Sequence, residues 1–204
     1  MRSNFKITGL FYQNNGYYFR KFLNIVRKNS GQDIPDLMVI MMNPGSSKPL
    51  DGNENNSCET EAIPDNTQDQ IMRVMNRCNF DFARILNLSD LREPKSSVFY
   101  KKIEELKRQK ITHSIFDKER NSDYEKFFVK NVPVIFAWGV SKNLFGLAKI
   151  ATETIGAIEP IGMNKKGFEF GYYHPLPQNY NKQIEWVDEI SKMIKKAHNN
   201  VYNS

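Results

Sequence analysis

LMVIMMNPGSSKP, residues 37–49, decides how this chain is read. Leu37-Met38-Val39-Ile40 is a continuous apolar run, the pattern of a strand buried on both faces. Asn43-Pro44-Gly45 stops it. Proline fixes one backbone dihedral and removes a donor, and glycine opens conformations that other residues avoid. Two serines and a lysine follow, and residues 46–66 form a long polar loop of the kind that is often functional in a compact domain.

Working outward, two more apolar runs have the same character. Residues 82–88 (Phe-Ala-Arg-Ile-Leu-Asn-Leu) and 132–137 (Val-Pro-Val-Ile-Phe-Ala) read as core strands, the second ended by Trp138-Gly139. Helical spacing fills the intervals. Thr67-Gln68-Asp69-Gln70 reads as a capping box, followed by a face of Ile71, Val74, Met75 and Cys78. Residues 98–107 and 123–130 read as helices. Ser141 caps a further helix with Leu144, Phe145, Ala148, Ala151 and Ile155 inward. Residues 158–161 and 168–173 read as short strands leading to His174-Pro175-Leu176-Pro177. A last helix, 181–198, buries Ile184, Val187, Ile190 and Ile194. At the N-terminus, residues 6–19 read as a hairpin turning at Asn15-Gly16. A helix with Phe19, Phe22, Leu23 and Val26 on one face follows.

The composition is that of one globular domain: 204 residues, 40% hydrophobic and 12% aromatic. It is too apolar for disorder, and no run approaches a membrane span. The N-terminal Met1-Arg2-Ser3-Asn4-Phe5-Lys6 has no secretion-signal character. Two cysteines, Cys58 and Cys78, cannot build a disulfide framework, so a reducing cytoplasmic setting is expected. A net charge of +6 favours an anionic partner such as nucleic acid, or is an inert basic surface. No phosphate loop, dinucleotide-binding glycine motif, nucleophile elbow or zinc spacing is present.

Alternating strands and helices predict an α/β domain with a central, mainly parallel sheet covered on both faces. Ligands bind such sheets beyond the carboxyl ends of the strands. Asn43-Pro44-Gly45, Asn87, Trp138-Gly139 and His174-Pro175 then meet at one rim. Read singly, Asn43 serves its own loop and Asn87 is a core amide. His174, extended because proline follows, is the one histidine of three at a strand end.

In this order the four segments resemble the uracil-DNA glycosylase superfamily over roughly residues 35–190. Met42-Asn43-Pro44-Gly45 resembles the Asn-Pro-Gly motif of its mismatch-specific branch. Residues 82–92 resemble the strand that offers an asparagine to the base. Residues 134–139 resemble the strand and turn before a phosphate-contacting helix. His174-Pro175-Leu176-Pro177 resembles its second motif. The chain also resembles a bacterial and phage family of unknown function that carries an Asn-Pro-Ser loop, an Asn-Leu and a late His-Pro-Leu. The resemblance implies a three-layer α/β/α fold with a four-stranded central sheet, to which the N-terminal hairpin is added. One domain spans 1–204, with the hairpin and helix in 1–30 and the core in 35–198.

The resemblance also implies roles. Asn43 positions the attacking water and His174 bonds a base oxygen as charge grows there. Asn87 reads the base edge, with Gly45 and Tyr173 beside it. Ser46, Ser47, Lys48, Ser141 and Lys142 hold DNA phosphates, and Gln178 or Tyr180 replaces the leucine that wedges the duplex. Gly45 stands where the uracil-specific branch has a tyrosine that closes the pocket to 5-substituents, so a larger pyrimidine is admitted. The family's stacking aromatic is missing, since residues 44–79 contain no Phe, Tyr or Trp. Phe11, Tyr12, Tyr172 or Tyr173 substitutes, or stacking is lost. Arg84 and Arg92 have no family counterpart, and Arg84 is expected to point into the rim. The expectation is a monomeric, cytoplasmic DNA glycosylase without metal or cofactor, acting on uracil or a modified pyrimidine in double- or single-stranded DNA, in repair or in defence against modified foreign DNA. A non-catalytic nucleic-acid or nucleotide module and a hydrolase of free nucleosides are the alternatives.

Overall fold

The computed structural model describes residues 1–54, 57–156 and 158–202, with side chains through residue 197. Six strands, β1 (Phe5–Asn14), β2 (Tyr17–Arg27), β3 (Leu37–Met41), β4 (Thr60–Glu61), β5 (Phe82–Asn87) and β6 (Val134–Phe136), form one sheet in the order β4-β1-β2-β5-β3-β6. Five α-helices accompany them: α1 (Asn66–Cys78), α2 (Ser96–Arg108), α3 (Asn121–Phe127), α4 (Phe145–Ile155) and α5 (Tyr180–Tyr202). No helix among the described residues is long and apolar enough to cross a membrane.

The α/β class is as expected, but the sheet is six-stranded and mostly antiparallel. β1/β2, β1/β4 and β2/β5 are antiparallel; only β3/β5 and β3/β6 are parallel. The parallel part is thus three strands. The segment expected as a strand at 158–161 makes a single parallel bridge, Ile161 to Ile135. Pro160, with no N–H, cannot extend that ladder. Residues 168–173 likewise make only bridges, Tyr172 pairing with Gly139 and Asn164.

All five residues of β3 are buried, so its sequence shows no alternation. Helices cover both faces. Leu23, Val39, Met41 and Ile85 share one core with Ile71, Val74 and Met75 of α1 and with Trp186, Val187, Ile190 and Ile194 of α5. Met38, Ile40 and Leu86 share the other with Phe99, Tyr124 and Ala148 of α2, α3 and α4. Ile184 and Phe145, expected inside, are 37% and 48% exposed, and Trp186 takes the inner position on α5. The capping box of α1 begins at Asp65 rather than Thr67: its side chain accepts from Gln68 N at 2.9 Å, and Gln68 Oε1 accepts from Asp65 N.

The expected N-terminal helix does not exist. Asn15 and Gly16, at φ 48° and 78°, make the tight turn, but β2 then runs on to Arg27. The cause of the misreading is a β-bulge. Leu10 pairs with Phe22 and Phe11 with Arg20, which leaves Lys21 as an extra residue. The bulge resets the strand's alternation. Phe19 and Phe22 therefore share one core, three residues apart, a spacing that imitates a helix.

Candidate functional site

The connection after β3 passes to α1 on one face, and the connection after β5 passes to α2 on the other. Ligands of α/β sheets bind where connections diverge in this way. Met41 and Asn87 are register partners across that divide. A cavity of about 760 Å³ opens there, within the range of small-molecule sites. Its floor includes Leu23, Met41 and Ile85 of the sheet. Its walls include Asn43-Pro44-Gly45-Ser46, the first turn of α1, Glu93-Pro94, Trp138, His174, Leu176 and Gln178.

Asn43 is held firmly. Its Nδ2 donates to the carbonyls of Leu91 (3.2 Å) and Glu93 (2.7 Å), tying the loop after β3 to the loop after β5. Both amide hydrogens are thereby used, and the carbonyl oxygen is the atom left for a ligand. Gly45 follows at φ 61°, a left-handed conformation that favours glycine, and nothing lies within 4 Å of where a Cβ would stand.

His174 arrives from the other side of the cavity. Gly139, just beyond β6, exchanges hydrogen bonds with Tyr172 at 2.7 and 3.3 Å. From α5, Trp186 Nε1 donates to Tyr173 O (3.0 Å) and Gln183 Nε2 to Pro177 O (2.8 Å). His174 Nδ1 accepts from Leu176 N at 3.1 Å, so the neutral ring carries its proton on Nε2. Burial lowers its pKa, so the ring is uncharged at neutral pH and Nε2–H is a neutral donor.

Asn87 is fully buried, and neither polar atom of its side-chain amide has a partner among the described residues. It lies two residues beyond Ile85 and opposite Met41, hence on the cavity's face of the sheet, although it does not reach the cavity wall. Ser46 lines the cavity; Ser47 is buried, with an unpartnered hydroxyl. Lys48 is exposed beside them. Gln178 lines the cavity.

The remaining expected residues are placed elsewhere. Ser141 accepts from Asn143 N to cap a 3-10 turn, Lys142–Leu144, and neither Ser141 nor Lys142 lines the cavity. Tyr173 and Tyr180 are 44% and 61% exposed outside it. Phe11 is buried in the core, Tyr12 stacks on Phe19, and Tyr172 packs edge-on against Trp138. The aromatic in the cavity wall is Trp138, its Nε1 donating to Phe170 O at 2.7 Å. Arg84 does not enter the rim. It bonds Asn24 Oδ1 (2.9 Å) and Phe127 O (3.2 Å) and lies over Phe22. Arg92 pairs with Glu54 at 2.8 Å.

Sequence reasoning missed Arg20, Gln68 and Asp65. All three line the cavity. The one local signal was an arginine within the apolar Tyr17-Tyr18-Phe19-Arg20-Lys21-Phe22-Leu23 run.

The family described as a protein of unknown function (DUF1643) matches residues 24–176. The chain belongs to that family. The match includes Asn43, Asn87, Trp138 and His174 and leaves Arg20 and all of α5 outside it. No curated protein and no solved structure matches the chain.

Proposed function

We propose that this DUF1643 protein is a monofunctional DNA glycosylase on a uracil-DNA-glycosylase-like fold, whose cavity receives an extruded uracil or 5-substituted pyrimidine. The observation that carries the reading is that Asn43 and His174, far apart in sequence, line the same cavity at the carboxyl ends of the strands. The parallel pairing of β5, β3 and β6, with the Ile161 bridge beside them, supports the likeness to that fold's central sheet.

The chemistry follows from the atoms available. Water oxygen forms a bond to the sugar C1′ as the bond from C1′ to the base nitrogen breaks. The base leaves with the electron pair and takes up the proton that water gives up. The carbonyl oxygen of Asn43 accepts from that water and orients it. The neutral Nε2–H of His174 donates to the base oxygen on which charge develops, so its contribution grows toward the transition state. Trp138 offers the aromatic wall, and the open space at Gly45 admits a 5-substituent. Exposed Lys48, and Lys142 farther along the surface, supply charge for the DNA backbone.

One observation favours a binding module instead: both hydrogens of the Asn43 amide serve the loop backbone. Incubation with duplex and single-stranded DNAs bearing uracil or modified pyrimidines, followed by alkaline cleavage of abasic sites, separates the two. Strand breaks at the modified base, slowed about 100-fold in His174→Ala, are expected, on the scale of one lost transition-state hydrogen bond. Binding of these DNAs without breaks across the panel would mean the binding module.

A further inference from the structure

Arg20 is 3% exposed, yet it lines the cavity. The bulge at Lys21 turns it there: Arg20 opposes Phe11 and lies on the face that carries Leu23. Its Nε is buried without a partner, and among the described residues its guanidinium forms no ion pair. Its backbone N–H donates to Asp90 O at 2.9 Å. An unpaired buried guanidinium is costly unless something completes it. Burial lowers its pKa only to about 10, so it is a cation at neutral pH.

A second feature faces the same space. Asp65, Asn66, Thr67 and Gln68, the start of the 13-residue helix α1, line the cavity. First-turn N–H groups have no intrahelical partner, and the capping box uses only that of Gln68. The helix dipole there favours negative charge. Gln68 Nε2 is a further buried donor without a partner. Two carboxylates share the wall: Asp65 caps α1 through Oδ1 and also attracts the Arg20 charge from across the cavity, and Glu93 pairs with Lys102 at 2.7 Å.

We propose that Arg20 and the first turn of α1 form an anion subsite that binds a terminal oxyanion, phosphomonoester or carboxylate, on the ligand of this cavity. A phosphodiester within a DNA strand does not fit the role, because its chain must leave on both sides while Arg20 sits at the bottom. The group is therefore carried by a free nucleotide or by the base itself. Neither case requires base excision, so the subsite stands or falls separately from the glycosylase reading.

Calorimetric titration at low salt tests it with matched probes: deoxycytidine monophosphate against deoxycytidine, 5-carboxydeoxycytidine against deoxycytidine, and inorganic phosphate alone. Intact protein and Arg20→Met are compared. In the intact protein at least one oxyanion probe should bind roughly tenfold or more tightly than its neutral partner, the scale of a charged hydrogen bond. The phosphate and carboxylate arms tell the two sources apart. In Arg20→Met that preference should vanish. Equal binding of charged and neutral probes by the intact protein, or a preference that survives in a folded Arg20→Met, overturns the subsite. Should Arg20→Met not fold, the Arg20 Nε–H resonance of the intact protein decides: it must shift and gain exchange protection on addition of the favoured probe, and an unmoved resonance rejects the proposal.

Discussion

Arg20 is buried and Arg120 half-buried, and the protein treats them in opposite ways. Arg120 is 11% exposed and saturated with partners. It pairs with Asp90, bonds Asp123 Oδ2 at 3.0 and 2.7 Å and reaches Tyr12 Oη at 3.4 Å. Lys21 joins the same group through Asp123. Arg20, one residue before Lys21, has no hydrogen-bond partner for its Nε among the described residues and lines the cavity. The bulge sends neighbouring cations to opposite faces of the sheet. On one face the protein completes the arginine, although Asp90 Oδ1 has no partner among the described residues; on the other, Arg20 Nε has none. Burial alone does not separate a structural charge from a binding one; the completeness of its partners does.

The largest expected effect lies on the paired face. The Asp90 side chain is fully buried. Arg120→Met strips it of its cation and should cost about 3–5 kcal/mol in urea unfolding, the usual penalty for breaking a buried pair. Adding Asp90→Asn removes the stranded charge and should recover most of that loss. A single variant within about 1 kcal/mol of the parent would show that the pair is no more than a surface contact, and the contrast with Arg20 would collapse.

On the glycosylase reading, groups in the cavity should cost rate more than stability. Asn43→Ala and His174→Ala should each lower single-turnover base excision by about 100-fold. His174→Ala should leave the unfolding midpoint nearly unchanged, since its one internal bond joins neighbours in the same loop. Asn43→Ala should lose about 1–2 kcal/mol as well, because two loop carbonyls lose their donor. A His174→Ala protein that excises at the parental rate removes His174 from the chemistry.

A smaller effect is carried by pH. His113 is buried, with Nδ1 at 3.0 Å from Ser89 Oγ, and burial lowers its pKa to about 4. Between about 6.5 and about 4 the unfolded chain binds this proton and the folded one does not. Stability should therefore fall as pH drops through that window, by up to about 3 kcal/mol. Asp90, pushed upward by burial against the pull of Arg120, acts in the opposite sense over an overlapping range. The difference between parent and His113→Gln isolates the histidine. Parallel stability–pH curves for the two proteins would deny it any share.

The same contrast explains what could be read in the sequence. β3 was legible because all five residues are buried, leaving an unbroken apolar run that halts at Asn43-Pro44. The hairpin turn was legible because Asn15-Gly16 suits two positive φ angles. β2 was not, because one inserted residue converts a two-residue period into a three-residue one, and no local property of Lys21 announces a bulge. Arg20 was lost with it, since a strand read as a helix points its arginine nowhere in particular. Asn43 could be named because the end of β3 is visible in sequence, and His174 because proline follows it, although residues 168–173 form only bridges. That Tyr173 and Tyr180 lie outside the cavity was not legible, because their orientation depends on how α5 docks, a tertiary fact.

Arg20→Met carries the smallest effect expected on stability, and its sign is the informative part. Replacing a partnered buried arginine removes favourable bonds and destabilises. Replacing an unpartnered one removes only a desolvation penalty and fills similar volume with an apolar chain. Met at position 20 would sit beside Leu23 and opposite Phe11, an apolar setting suited to a flexible side chain. Ligand-free Arg20→Met should thus be as stable as the parent or up to about 1 kcal/mol more stable, the reverse of Arg120→Met. Proteins that keep a destabilising group do so where function uses it, and sites for ligands are where such groups collect. Urea unfolding of the two variants beside the parent reads the contrast directly. A loss above about 1 kcal/mol in Arg20→Met would mean that the free protein already satisfies this guanidinium. The two arginines would then differ in degree only.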